Sequence, residues 1–159
     1  MSIAFIIAIT GISGCRKNND PIPPITEKTN ELCTVTYNDK TYTLKITNAA
    51  QGMFSESFIL PENISDTVYT FSGEGCEIKR GSLSVHTDRT YLSDNSLPKR
   101  LYDVFSMIQN TVETQYAGTD DSGENNVFVI GDHYIFSDKA SGTIKSIETA
   151  DGTFAVQFK

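Results

Sequence analysis

From Leu32 onwards the chain is written in short alternating segments. Cys33, Val35 and Tyr37 alternate with Thr34 and Thr36, Asn38-Asp39-Lys40 interrupts them, and Tyr42, Leu44 and Ile46 take the alternation up again. A period of two on both sides of a turn predicts a β-hairpin. Phe54, Phe58 and Leu60 predict a third strand, Tyr69 and Phe71 a fourth, Cys76 and Ile78 a fifth, and Leu83 with Val85 a sixth; Gly73, Gly75 and Gly81 are turn or bulge positions between them. Later in the chain Val127 to Ile130, Tyr134 to Phe136, Thr143 to Ile147 and Phe154 to Phe158 repeat the pattern, and Asp151-Gly152 is the strongest hairpin-turn signal in the sequence.

Between the two strand groups the period changes. Leu97, Leu101, Val104, Ile108 and Val112 recur at spacings of four, three, four and four, which is one face of an amphipathic helix. Ser96 is placed to cap it, and Pro98 falls in the first turn, where proline costs little. The predicted helix covers about 96–115. Phe105 and Met107 widen the apolar stripe, and Lys99, Arg100, Asp103, Gln109 and Asn110 fall mostly outside it. The stripe reads as core against a sheet ahead of a membrane or partner surface. One helix cannot cover the inner face of eight to ten strands unless the sheet curls around it. The expected fold class is therefore α+β, mainly β: a curved antiparallel sheet packed around one amphipathic helix. Phe54, Phe58, Leu60, Tyr69, Phe71, Leu101, Phe105 and Ile108 are the candidates to line an apolar ligand groove on that inner face, or else to fill a closed core.

The N-terminus follows neither pattern. Residues 1–14 carry no charge, and Ser2 to Gly14 reads SIAFIIAITGISG, the length of a signal-peptide core and short of the roughly 20 residues that span a bilayer. It ends in Ile12-Ser13-Gly14-Cys15, which resembles the bacterial lipobox. The resemblance implies a diacylglyceryl group on Cys15 and cleavage just before it, so that the mature chain runs from Cys15, anchored to the cell membrane and extracytoplasmic. This chain departs from such signals in having no Lys or Arg before Cys15, which a start further upstream would account for. After Cys15 the sequence RKNNDPIPPITEKTNE is polar and proline-rich without periodicity, a flexible tether. The domain organisation expected is a signal peptide over 1–14, lipidated cysteine and tether over 15–31, and one sheet domain over 32–159.

Charge and chemistry narrow the function. With 13 Lys plus Arg against 20 Asp plus Glu the net charge is −7, which leaves no basic footprint for nucleic acid. Cys33 and Cys76 remain once Cys15 is lipidated, an even number at strand positions in an exported chain. They form a candidate disulfide, or pack as two buried thiols. The polar loop Gly118 to Asn126, GTDDSGENN, lacks the alternating acidic spacing of a calcium loop and reads as solvated. His86 and His133 sit in no catalytic signature and read as surface or strand-edge residues; no marked nucleophile accompanies them. No catalytic residue, metal site or cofactor is assigned, and a non-enzymatic role is expected.

The order of elements adds a resemblance. The Pro61-Glu62-Asn63-Ile64 break after FSESFIL, the GCEIKRGSLSV meander, the YLSDNSLPKRLYDVFSMI helix and the closing IKSIETADGTFAVQF hairpin resemble small lipoproteins of Gram-positive bacteria. Those are similar to the outer-membrane lipoprotein carrier (LolA/LppX-like) superfamily. The resemblance, over about residues 32–159, implies an incomplete barrel plugged by helix, with the space between receiving acyl chains. The expected role is a membrane-anchored binding or carrier module for a hydrophobic or amphiphilic ligand. The alternative is a scaffold or accessory lipoprotein that contacts another envelope protein, to which the acidic surface and the missing catalytic signature also point.

Overall fold

The computed structural model describes residues 20–26, 30–49, 53–73, 75–109 and 114–159. Eleven strands and one helix follow in the order β1 (Asn30–Tyr37), β2 (Lys40–Ala49), β3 (Met53–Leu60), β4 (Thr67–Ser72), β5 (Gly75–Arg80), β6 (Leu83–Asp88), α1 (Leu97–Gln109), β7 (Gln115–Thr119), β8 (Asn125–Ile130), β9 (His133–Asp138), β10 (Ile144–Thr149) and β11 (Phe154–Phe158). All join one antiparallel sheet in the spatial order β6-β5-β4-β3-β2-β1-β11-β10-β9-β8-β7. Each group is a meander, and the two are stitched together by β1 against β11, with Val35 opposite Val156 and Tyr37 opposite Phe154. The outer strands β6 and β7 do not pair with each other, so the barrel stays open.

The alternation seen in the sequence becomes two faces. Residues directly opposite one another in antiparallel register share a face. Ile46, Glu56, Tyr69, Ile78 and Val85 thus form one row across β2 to β6, and Asn48, Phe54, Phe71, Cys76 and Thr87 form the next. These rows lie on the concave face, where α1 seats Leu101, Val104, Phe105 and Ile108, all essentially buried. Tyr102 stacks on Phe71 at 4.6 Å between ring centres, and Phe105 packs on Phe54 at 5.1 Å and on Phe158 at 6.2 Å, so the helix bridges both halves of the sheet. Turn chemistry sets the hairpins. Asn38 and Asp39 both take positive φ, 48° and 61°, as a two-residue primed turn requires.

The structure corrects several expectations. The helix ends at Gln109 as far as the described residues show, and Gln115 already begins β7, a strand read from sequence as helix tail and loop. Ser96 stands at the helix start, yet its hydroxyl donates to the Ser93 carbonyl rather than capping the helix. Cys33 and Cys76 are buried free thiols, not a disulfide. They lie on β1 and β5 with β2, β3 and β4 between them, while a disulfide requires Cα atoms within about 7 Å. His133 is not a surface residue: β9 turns His133, Ile135 and Ser137 inward, and the imidazole packs edge-on against Phe154.

Residues 20–26, read as part of the tether, lie against the domain. Ile25 forms a parallel bridge with Thr143, its N–H donates to the Gly142 carbonyl at 2.9 Å, and Thr26 is buried. The Asn48 amide donates to the Thr26 carbonyl at 2.7 Å and accepts from Gln109 Nε2 at 3.1 Å, tying this segment to β2 and to the last residue of α1. The segment closes the trough at that end: Ile25, Glu31, Phe105, Thr143, Ile144 and Phe158 leave only about 20 Å³ between them. The signal peptide expected over 1–14 and the lipidation site expected at Cys15 lie outside the described residues.

Candidate functional site

The opposite end of the trough is not filled. Tyr42, Phe58, Ile64, Thr67, Tyr69, Ile78, Arg80, Leu97 and Pro98 enclose a cavity of about 450 Å³, within the ~300–1,000 Å³ range of small-molecule sites. The sheet supplies its floor. Tyr69 lies opposite Ile78, and Thr67 opposite Arg80, on adjacent strands of the concave face. The start of α1 supplies the roof with Leu97 and Pro98, and the 3-10 turn Glu62–Ile64 supplies one wall. Aromatic edges meet there, Tyr42 and Tyr69 both packing on Phe58 near 6 Å. The helix start is held off the floor by the loop before it: Tyr37 donates its hydroxyl to the Asn95 carbonyl at 2.8 Å, and Lys99 bridges Asp94 and Asp103 at 3.0 and 2.7 Å.

The residues proposed from sequence are divided by this geometry. Phe58 and Tyr69 line the cavity. Phe54 and Phe105 border a separate recess of about 30 Å³ with Asn48, Tyr102, Ser106 and Gln109. Phe71, Leu101 and Ile108 are core beneath the helix. Leu60 points away: the register between β2 and β3 shifts between Thr43 and Leu44, so that Leu60 faces Thr43 instead of continuing the row of Phe58, and it stays half exposed. Missed were Tyr42, Ile64, Ile78, Arg80, Leu97 and Pro98. Ile78 and Tyr42 carried a signal, since both lie in phase with residues assigned to the inner face. Nothing in the local pattern placed Ile64 or Pro98.

In the same row as the cavity residues Tyr69 and Ile78, one strand over on β3, sits Glu56. It is wholly buried, opposite Ile46 and Tyr69, and neither carboxyl oxygen has a hydrogen-bond partner among the described residues. Burial pushes its carboxyl well above the usual carboxylate value, so that the group is held protonated. Burial likewise raises the thiols, Cys33 to about 12 and Cys76 to about 11, and raises the Tyr69 phenol. Such thiols are poor nucleophiles.

Neither histidine is paired with a side-chain nucleophile among the described residues. His133 Nδ1 lies 2.8 Å from Asp132 Oδ1, burial lowers its basicity, and no side-chain hydroxyl or thiol hydrogen-bonds to the ring among the described residues. Ser137 shares its face but stands four residues on, about 13 Å along an extended strand. His86 is exposed on β6, 3.4 Å from Glu77. In the 118–126 loop Asp120 is consumed locally, accepting from Ser122, from the backbone N–H groups of Glu124 and Asn125 and from the Asn125 amide; these donors hold its carboxyl down at about 2. No described helix is long and apolar enough to cross a membrane.

No known protein family matches the chain, and no curated protein is significantly similar to it. Among solved structures it is similar to an uncharacterized conserved protein from Thermus thermophilus, with a TM-score of 0.50 at 10% identity over 82% of this chain and 76% of that one. A LolA superfamily protein from Nitrosomonas europaea aligns with a TM-score of 0.39 at 11% identity over 79% of this chain and 64% of that one. The first likeness is one of fold alone.

Proposed function

We propose that the protein is a non-catalytic carrier or binding module for a hydrophobic or amphiphilic ligand, held outside the cytoplasm by a lipid on Cys15. The observation that carries this reading is the cavity of about 450 Å³ between the start of α1 and the floor of β3 to β5, walled mainly by aromatic and aliphatic side chains. A domain of this size normally fills such a space, because voids forfeit packing energy. An unfilled apolar space beneath one end of the only helix in the described residues is suited to an apolar guest. The superfamily that the element order resembles receives acyl chains between its curved sheet and its helix plug, which adds to this reading.

The anchor reading is supported by the lipobox-like Ile12-Ser13-Gly14-Cys15 after an uncharged run. With residues 20–26 docked, residues 15–19 reach at most about 18 Å even if fully extended, which would hold the domain close to its membrane. That segment joins the trough at its closed end, so the cavity would lie at the end remote from the anchor. Mass spectrometry of lipids carried by the full-length chain purified from its host tests the carrier reading: a bound amphiphile is expected, and a ligand-free protein that takes up no fluorescent fatty acid would count against it. Replacing Cys15 by Ser should abolish labelling by a radioactive fatty acid in growing cells, and unchanged labelling would refute the anchor.

A further inference from the structure

Resting on that carrier reading, we infer that the cavity is selective for single-chain anionic amphiphiles, a long-chain fatty acid with its carboxylate on Arg80 at the rim. The lining holds one charged residue, and it is a cation. Arg80 closes the row Thr67–Arg80–Leu83 on the concave face, its side chain exposed at the mouth while Tyr69, Ile78 and Phe58 form the interior. No carboxylate lines the cavity, so a cationic head group would find no partner there.

The guanidinium is also available. The two cations on the first turn of α1 are committed: Lys99 bridges Asp94 and Asp103, and Arg100 lies over the Phe154 ring at 5.2 Å and reaches Asp132 at 3.7 Å. Arg80 makes no ion pair among the described residues. Its Nη2 donates to the Asn63 carbonyl at 2.8 Å, a neutral partner that fixes the group at the rim and leaves most of its five donors for a ligand. The planar fork matches a carboxylate. The roof adds to this, because Leu97 and Pro98 are the first residues of α1, where the helix dipole is positive. Beyond the rim the concave face continues apolar, with Leu83 opposite Arg80 and Val85 opposite Ile78, both more than half exposed, a surface along which a chain too long for the cavity can lie.

The test is equilibrium binding of palmitate and of hexadecanol to the full-length chain and to its Arg80→Met variant, which keeps the apolar stem and loses the charge. The wild type is expected to prefer the acid by about tenfold, the worth of one partly exposed charged hydrogen bond, and the preference should collapse to about one in Arg80→Met. Equal affinity of the wild type for both ligands, or a preference that survives the substitution, would overturn the anion site while leaving the carrier reading standing. Binding of neither would overturn both.

Discussion

Burying a carboxyl without a hydrogen-bond partner is costly, and a group in that position keeps its proton rather than its charge. Glu56 is in that position, and its consequence is a pH dependence with a defined sign. The folded chain holds this proton at pH values where the unfolded chain, titrating near 4.5, has lost it, so stability is greatest below that value and falls as pH rises above it. The slope for one such proton is roughly 1.4 kcal/mol per pH unit until the folded group itself ionises. Other groups work the opposite way. Asp120 and Asp151, held near 2 by their own turns, contribute stability that is lost as pH falls from 3.8 towards 2, and His133, kept neutral by burial, contributes stability that grows as pH rises through the usual histidine range. Comparing the wild type with Glu56→Leu isolates the glutamate: in urea unfolding at pH 5, 6, 7 and 8 the advantage of Glu56→Leu should widen with pH, and a constant difference would show that Glu56 is ionised in the fold. The thiols offer a second check at this scale. Cys33 and Cys76, raised to about 12 and 11, should resist iodoacetamide at pH 8 in the folded protein, and both should be alkylated after unfolding without reductant; an unreactive pair under those conditions would restore the disulfide.

Among the elements, the strands and the helix were legible because periods of two and 3.6 are direct records of which side chains face the core. Cys33, Val35, Leu44 and Ile46 announced β1 and β2, and Leu101, Val104 and Ile108 announced α1. What local pattern cannot carry is registry between distant strands. The bulge that turns Leu60 off the concave face arises in the pairing of β2 with β3, and the burial of His133 follows from β9 pairing with β10, which brings the imidazole against Phe154 of β11 one strand further on. The docking of residues 20–26 was invisible for the same reason, since proline-rich chain without periodicity reads as tether whether or not something receives it. Gly142 receives it. Its φ is +72°, and a Cβ there would meet the Pro23 carbonyl at 2.7 Å and the Ile22 side chain at 2.8 Å. Gly142→Ala should therefore lower stability by about 1–3 kcal/mol and release the segment, seen as faster proteolysis within 20–26; unchanged cleavage would mean that the segment does not dock there.

At the scale of the molecule, the trough has one closed end and one open end. Residues 20–26 and the C-terminal part of α1 close the first, while the second keeps a cavity of about 450 Å³ beneath the helix start. The sequence pointed to a groove on the inner face and placed two of its residues, Phe58 and Tyr69, but a period assigns residues to a face without saying which part of that face is left uncovered. That is set by where α1 lies, and its position depends on contacts made from both halves of the sheet, Tyr102 on Phe71 and Phe105 on Phe158. The central claim is that this space holds an apolar guest. It is tested most directly by titrating the full-length chain with a fluorescent fatty acid beside an Ile78→Trp variant, whose larger side chain fills the cavity from its floor. The account predicts saturable binding by the wild type and its loss in Ile78→Trp at unchanged secondary structure; equal binding by the two chains would contradict it.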